Sequence, residues 1–292
     1  MKKKTVFRGA ATALVTPFKD GSIDFTALGN IIDFQLACGI DALVICGTTG
    51  EASTLSETER LKVFEFTKER TDGKIPLIFG TGTNNTNTSV EYTRLAKKCG
   101  ADAALAVTPY YNKGTENGII SHYMKIAEAA ELPIILYNVP ARTGVNLSLS
   151  AIDTLSSHEN ITAIKEASDS ADRLTAIAAM SDKISLYAGN DSQIYTVLAL
   201  GGLGVISVAS NILPKEVLKV TRGYFSGKKF AALETQKQLL PFIKALFIQT
   251  NPSPIKYAMS IGGLCDEEVR LPLAPPTDDV KKIIESEYRK LV

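Results

Sequence analysis

A (β/α)8 barrel is the fold class that this 292-residue chain predicts, on three observations. The length fits one α/β barrel of ~250 residues with a small appendage. Eight short apolar runs recur along the chain, most of them continuous rather than alternating, as in parallel strands buried on both faces. Longer amphipathic stretches separate them. A doubly wound open sheet is the rival, but eight regular units without a GxGxxG turn after the first strand count against it.

The expected strands are Gly9–Thr16, Asp41–Gly47, Pro76–Gly82, Asp102–Thr108, Pro133–Asn138, Ile161–Ala167, Ile184–Gly189 and Gly204–Ala209. Ser56-Glu57-Thr58-Glu59 is a capping-box pattern that opens a helix running towards Arg70. Thr86–Cys99 is expected to end at Gly100, a C′ glycine. Gly118–Ala130, Ser148–Ser157, Ala171–Met180 and Ser192–Leu200 also read as helices. Strand signals stop near residue 224, after which Phe230–Phe247, Pro254–Ile261 and Val280–Leu291 read as helical. The expected organisation is a barrel over residues 1–224 and a helical region over 225–292.

Thirty-two Lys and Arg balance 31 Asp and Glu, which gives no electrostatic reason for a nucleic-acid or anionic-membrane partner. Cys38, Cys46, Cys99 and Cys265 form no CxxC pair and read as buried free thiols in a reducing compartment. His122 and His158, 36 residues apart, fall on or beside helices and carry no metal site or assigned role. Arg8 cuts the apolar stretch after Lys2-Lys3-Lys4 too early for a signal peptide, so the lysines read as a solvated tail. No apolar run is long enough to span a membrane. Together these features predict a cytoplasmic protein.

The active site of such a barrel lies at the C-terminal ends of its strands. The second strand ends in Gly47-Thr48-Thr49-Gly50-Glu51, two hydroxyls between glycines that suit a small acidic ligand; a plain strand–helix turn is the competing reading. The fourth ends in Thr108-Pro109-Tyr110-Tyr111-Asn112. A phenol there relays a proton or simply packs. The fifth ends in Tyr137-Asn138, and Arg142 beyond it carries a planar fork that matches a carboxylate. The seventh ends in Gly189-Asn190-Asp191, and Gly201-Gly202-Leu203-Gly204 before the eighth reads as a simple turn rather than a phosphate cradle.

Lys165 is the sharpest candidate. Period-two alternation puts Ala163, Lys165 and Ala167 on one face, two small residues around one amine. A lysine inside a buried strand is costly unless paired or neutral. Lowering its pKa by ~3 units costs ~4 kcal/mol and yields a nucleophile that attacks a ketone. The resulting imine withdraws electrons, so the adjacent carbon loses a proton and becomes a nucleophilic enamine. A lysine paired with a neighbouring carboxylate is the structural alternative.

The strings GTTGE, TPYYN, YNVPARTG, IKEAS and GVISV stand in order at successive strand ends. Together they resemble the dihydrodipicolinate synthase family of pyruvate-dependent class I aldolases. The resemblance implies condensation of pyruvate with L-aspartate 4-semialdehyde, on the path to diaminopimelate and lysine. It makes Lys165 the Schiff-base lysine and Tyr137, Thr48 and Tyr111 the proton relay, Tyr111 acting across a subunit interface. Thr49, Gly189 and the backbone at Ile206 would bind pyruvate, and Arg142 the semialdehyde carboxylate. No cofactor or metal is implied, and a homotetramer built as a dimer of dimers is. A related aldolase acting on a keto-deoxy sugar acid or N-acetylneuraminate is the alternative, though Arg142 and the first Thr of GTTGE, Thr48, depart from the sialate lyases. At the family's lysine-feedback pocket this chain resembles the others at Asn84 and Tyr110 but carries Glu57, Arg60 and Thr88. Lysine feedback is therefore expected to be weak or absent.

Overall fold

The computed structural model describes residues 3–292. Eight parallel strands close into a barrel in chain order. They are β1 (Gly9–Ala13), β2 (Ala42–Ile45), β3 (Leu77–Gly80), β4 (Ala103–Val107), β5 (Ile134–Asn138), β6 (Ile161–Glu166), β7 (Ser185–Ala188) and β8 (Gly204–Ser207). Each lies within its expected run and is one to three residues shorter, because the flanking residues turn towards the loops. Nearly every strand residue is buried, which is why the runs are apolar without alternation.

A helix follows each strand: α1 (Phe25–Cys38), α2 (Glu57–Thr71), α3 (Thr86–Cys99), α4 (Glu116–Glu128), α5 (Leu149–Leu155), α6 (Ala171–Ala178), α7 (Ile194–Ala199) and α8 (Pro214–Phe225). Local chemistry sets their ends. Ser56 and Glu59 form the expected capping box on α2. Asp24, Asn85, Thr115, Ser148 and Ser170 cap α1, α3, α4, α5 and α6 through their side chains. Gly100 ends α3 in the left-handed conformation at φ 82°. Three further helices complete the chain: α9 (Lys229–Ala245), α10 (Ser253–Ile261) and α11 (Asp278–Tyr288).

A small hairpin and the helices α1 and α8 went unread in the sequence. The hairpin pairs Phe18–Lys19 antiparallel with Ser22–Ile23. The helix α1 exposes Thr26, Asn30 and Asp33 along one stripe, and its Gly29 leaves room for the Phe66 ring, which a Cβ would meet at 3.4 Å.

The chain falls into two compact units. One takes the N-terminal residues through Gly9 together with Pro76–Ile206, the other Ala10–Ile75 with Ser207–Val292. In the first, Gly204 turns out to serve close packing: its φ is +151°, and a Cβ would stand 1.8 Å from the Gly9 carbonyl oxygen.

The basic start corrects the sequence reading. Lys3 is no solvated residue: its ammonium donates to the carbonyls of Ser156, His158 (3.0 Å) and Ile161 (2.6 Å), below the start of β6. Burial pushes its pKa down. Lys2 lies outside the described residues. All four cysteines are free thiols, but only Cys46 is buried; Cys38, Cys99 and Cys265 are half-buried. No helix among the described residues is long and apolar enough to cross a membrane.

Candidate active site

The strands β5 and β6 run parallel, and their register is the first determinant of the site. Ile134 pairs with Ile161, but Ile135 pairs with Ala163, so Thr162 is an extra residue on β6. This bulge sets Tyr137 opposite Lys165 and Asn138 opposite Glu166. Without it Tyr137 would face Ile164, and the lysine would point to the other side of the sheet.

With this register, the Lys165 ammonium stands 4.2 Å from the centroid of the Tyr137 ring. Lys165 is 5% exposed and Tyr137 7%. The neighbouring carboxylate points away. Glu166, fully buried, accepts from Arg173 Nε at 3.0 Å, from Asn138 Nδ2 at 2.8 and 3.1 Å, and from the Ser168 backbone N–H at 3.0 Å. The ion pair of Glu166 is thus with Arg173. Among the described residues Lys165 makes no ion pair, which removes the carboxylate-paired alternative.

The same segment explains Gly189, just beyond β7. A Cβ there would lie 2.6 Å from the Ala167 Cβ and 2.7 Å from the Glu166 carbonyl oxygen. Its missing side chain lets the ends of β6 and β7 approach, whatever further contact it makes.

At the end of β4, Thr108 donates its backbone N–H (2.9 Å) and its hydroxyl (3.0 Å) to the Tyr137 carbonyl, which holds the Tyr137 backbone from the other side. The Tyr123 hydroxyl reaches the Ala106 carbonyl at 3.1 Å, and burial pushes its pKa up. Tyr111 differs sharply. It adopts φ +69° and is 89% exposed. A non-glycine residue at positive φ is uncommon, and for a bulky ring it costs of order 1 kcal/mol. Arg142 lies in a helical turn, Pro140–Thr143, on the surface. Thr143 and the left-handed Gly144 close that turn.

In the other unit, the loop after β2 carries Thr48 and Thr49. Backbone bonds from Gly50 and Ala52 to the Gly47 carbonyl, and from Glu51 to the Thr48 carbonyl, wind it tightly. Thr16 Oγ1 donates to the Gly50 carbonyl at 2.8 Å. Thr48 is half-buried and Thr49 is 3% exposed. Glu51, left-handed at φ 53°, accepts from Lys256 Nζ at 2.5 Å and from the Arg270 backbone N–H at 2.9 Å. Both side chains of the Glu51–Lys256 pair are fully buried. Burial pushes the Lys256 pKa down, against the pull of Glu51. Lys256 and Arg270 also flank the Phe18 ring, at 4.1 and 4.4 Å from its centroid. Asn251 Nδ2 donates to Thr49 Oγ1 at 2.9 Å. Ile206, in β8, is fully buried.

Sequence reading singled out Lys165 and Tyr137 on successive strands, and the structure brings them together. It missed the Thr162 bulge, which no residue type announces, and the Asn138–Glu166–Arg173 cluster. It also missed Asn251, Lys256 and Arg270, some 200 residues from the loop they hold. The histidines stand where expected: His122 is buried on α4 with Nδ1 3.0 Å from Thr86 Oγ1, and desolvation pushes its pKa down to about 4.

Comparison with known proteins gives a consistent result. The model of the dihydrodipicolinate synthetase family matches residues 6–290. A 4-hydroxy-tetrahydrodipicolinate synthase of Clostridium novyi is 44% identical over 283 residues, covering 97% of this chain and 96% of that one. One from Alkaliphilus oremlandii is 46% identical, covering 98% and 99%. The crystal structure of dihydrodipicolinate synthase from Thermotoga maritima superposes with a TM-score of 0.96 at 39% identity, covering 98% of this chain and 99% of that one.

Proposed function

Since the chain belongs to the dihydrodipicolinate synthetase family, we propose that it condenses pyruvate with L-aspartate 4-semialdehyde to give 4-hydroxy-tetrahydrodipicolinate, on the route to diaminopimelate and lysine. The observation that carries this reading is Lys165: buried, without a carboxylate partner among the described residues, and beside the Tyr137 ring.

The chemistry runs as an imine cycle. The Lys165 amine attacks C2 of pyruvate, and the carbonyl oxygen leaves as water. The imine draws electrons from C3, which loses a proton and becomes an enamine carbon. That carbon adds to the aldehyde, whose oxygen takes up a proton as the hydroxyl of the product. The amino group of the semialdehyde then attacks C2, closes the ring and releases Lys165. Tyr137 moves the protons, with Thr48 and Tyr111 serving the same transfers. Thr49, Gly189 and the Ile206 backbone bind pyruvate, and Arg142 binds the carboxylate of the semialdehyde.

Assembly belongs to the same proposal. An 89%-exposed tyrosine held at positive φ suits a residue that completes a site in a second copy, and the chain is proposed to work as a homotetramer, a dimer of dimers. A biosynthetic role and four free thiols support a cytoplasmic place.

A rate assay with pyruvate and the semialdehyde, coupled to a reductase that oxidises NADPH, tests the reading. Turnover with this aldehyde is expected, and none with sugar-derived aldehydes or N-acetylmannosamine. The reverse preference would move the chain to another aldolase activity.

A further inference from the structure

We infer that Asn251 is a positioning residue that sets the polarity of the Thr49 hydroxyl, turning it into a dedicated donor for the carboxylate of pyruvate. The inference rests on the proposed pyruvate-binding role of Thr49.

An amide NH2 only donates. Asn251 Nδ2, 2.9 Å from Thr49 Oγ1, therefore occupies a lone pair of that oxygen. The hydroxyl proton must then point elsewhere. Thr49 is 3% exposed and Asn251 4%, so bulk water does not compete for either group. A carboxylate only accepts, so it needs a donor from this hydroxyl. A hydroxyl that spent its proton on a neighbour would instead turn lone pairs towards the anion.

The geometry is held from one segment. Asn251 stands two residues before α10, and α10 carries Lys256, whose ammonium binds Glu51, two residues beyond Thr49. One short stretch of chain thus grips the loop at two points, with Thr16 holding the Gly50 carbonyl between them. The Lys256–Glu51 pair fixes where the loop lies; Asn251 fixes which way one proton points. Nothing in the GTTGE string itself specifies that direction.

The test is a set of Asn251 variants in the intact enzyme, with unfolding midpoints measured alongside. Asn251→Asp keeps the shape but replaces the donor with an acceptor, so the Thr49 proton turns towards it. The expected result is a pyruvate KM raised about tenfold or more, with kcat at saturating pyruvate and the KM for the aldehyde moving much less. Asn251→Ala leaves the hydroxyl to rotate and is expected to raise the pyruvate KM only about threefold. A merely space-filling role predicts the opposite order, with the truncation worse than the isosteric change. In a Thr49→Val background, Asn251→Asp is expected to change the pyruvate KM less than about twofold.

A KM within about twofold of wild type in Asn251→Asp, or a larger effect from Asn251→Ala, overturns the inference. So does a tenfold rise that persists without the Thr49 hydroxyl, which would be simple charge repulsion. Wild-type protein that forms no borohydride-trapped adduct with pyruvate would overturn the functional reading as well. An adduct that half-saturates at the same pyruvate concentration in wild type and Asn251→Asp would overturn the role of Asn251 alone.

Discussion

At the residue scale, the decisive feature is that a buried carboxylate and a buried amine adjacent in sequence do not pair. Glu166 faces Arg173 and Asn138, while Lys165 faces Tyr137. The period-two alternation of a strand enforces this separation, although the sequence left a carboxylate-paired lysine open as an alternative. The partner across the sheet was not legible, because it depends on the bulge at Thr162, and a bulge has no reliable sequence mark. Tyr137→Phe removes the proton carrier but keeps the ring against Lys165. The expected result is a fall in kcat of about a hundredfold or more with an unchanged unfolding midpoint. Wild-type rates in that variant would remove Tyr137 from proton transfer.

Elements were read well where a local signal marks them and poorly where packing alone defines them. The capping box of α2 and the C′ glycine of α3 stand as expected. The hairpin Phe18–Ile23 is too short to show a period. The grip of α10 on the β2 loop joins residues 205 apart in sequence, which no local pattern encodes. Lys256→Met strands the buried Glu51 carboxylate, so a loss of about 3–5 kcal/mol is expected. Adding Glu51→Gln should return part of it in denaturant unfolding; a single variant as stable as wild type would show that the pair contributes nothing.

The contact between α3 and α4 carries a pH dependence. In the unfolded chain His122 titrates near its ordinary value of about 6.5, whereas in the fold its pKa is pushed down to about 4. The folded state resists a proton that the unfolded state accepts. The contribution to stability is therefore fully present above about pH 6.5 and is lost as pH falls through 4. It amounts to about 3 kcal/mol. In His122→Gln the stability difference between neutral pH and pH 4 should shrink by about that amount; an unaltered acid limb would contradict this.

On the scale of the whole molecule, the barrel was legible because eight apolar runs separated by helices admit few other arrangements. Assembly was not, since a single chain shows only that Tyr111 is exposed and strained. If Tyr111 completes a site in a neighbouring copy, specific activity should fall as the enzyme is diluted below its dissociation constant, and Tyr111→Phe should lower kcat without changing the sedimentation coefficient. A fully active monomer would contradict that role. The Arg60 guanidinium is buried and donates to the Ala52 carbonyl at 2.5 Å. At the pocket the family resemblance implies, it would add a charge that repels an effector's ammonium, and the set Glu57, Arg60 and Thr88 lacks the family's glutamate there. Millimolar lysine is expected to leave the rate unchanged, and a clear drop would refute this.

The central claim is that Lys165 is the nucleophile, and trapping tests it most directly. Protein incubated with pyruvate, reduced with borohydride and digested should carry the reduced pyruvate adduct on the peptide containing Lys165, and Lys165→Met should carry none. An adduct on another lysine, or none from folded wild-type protein, would contradict the account.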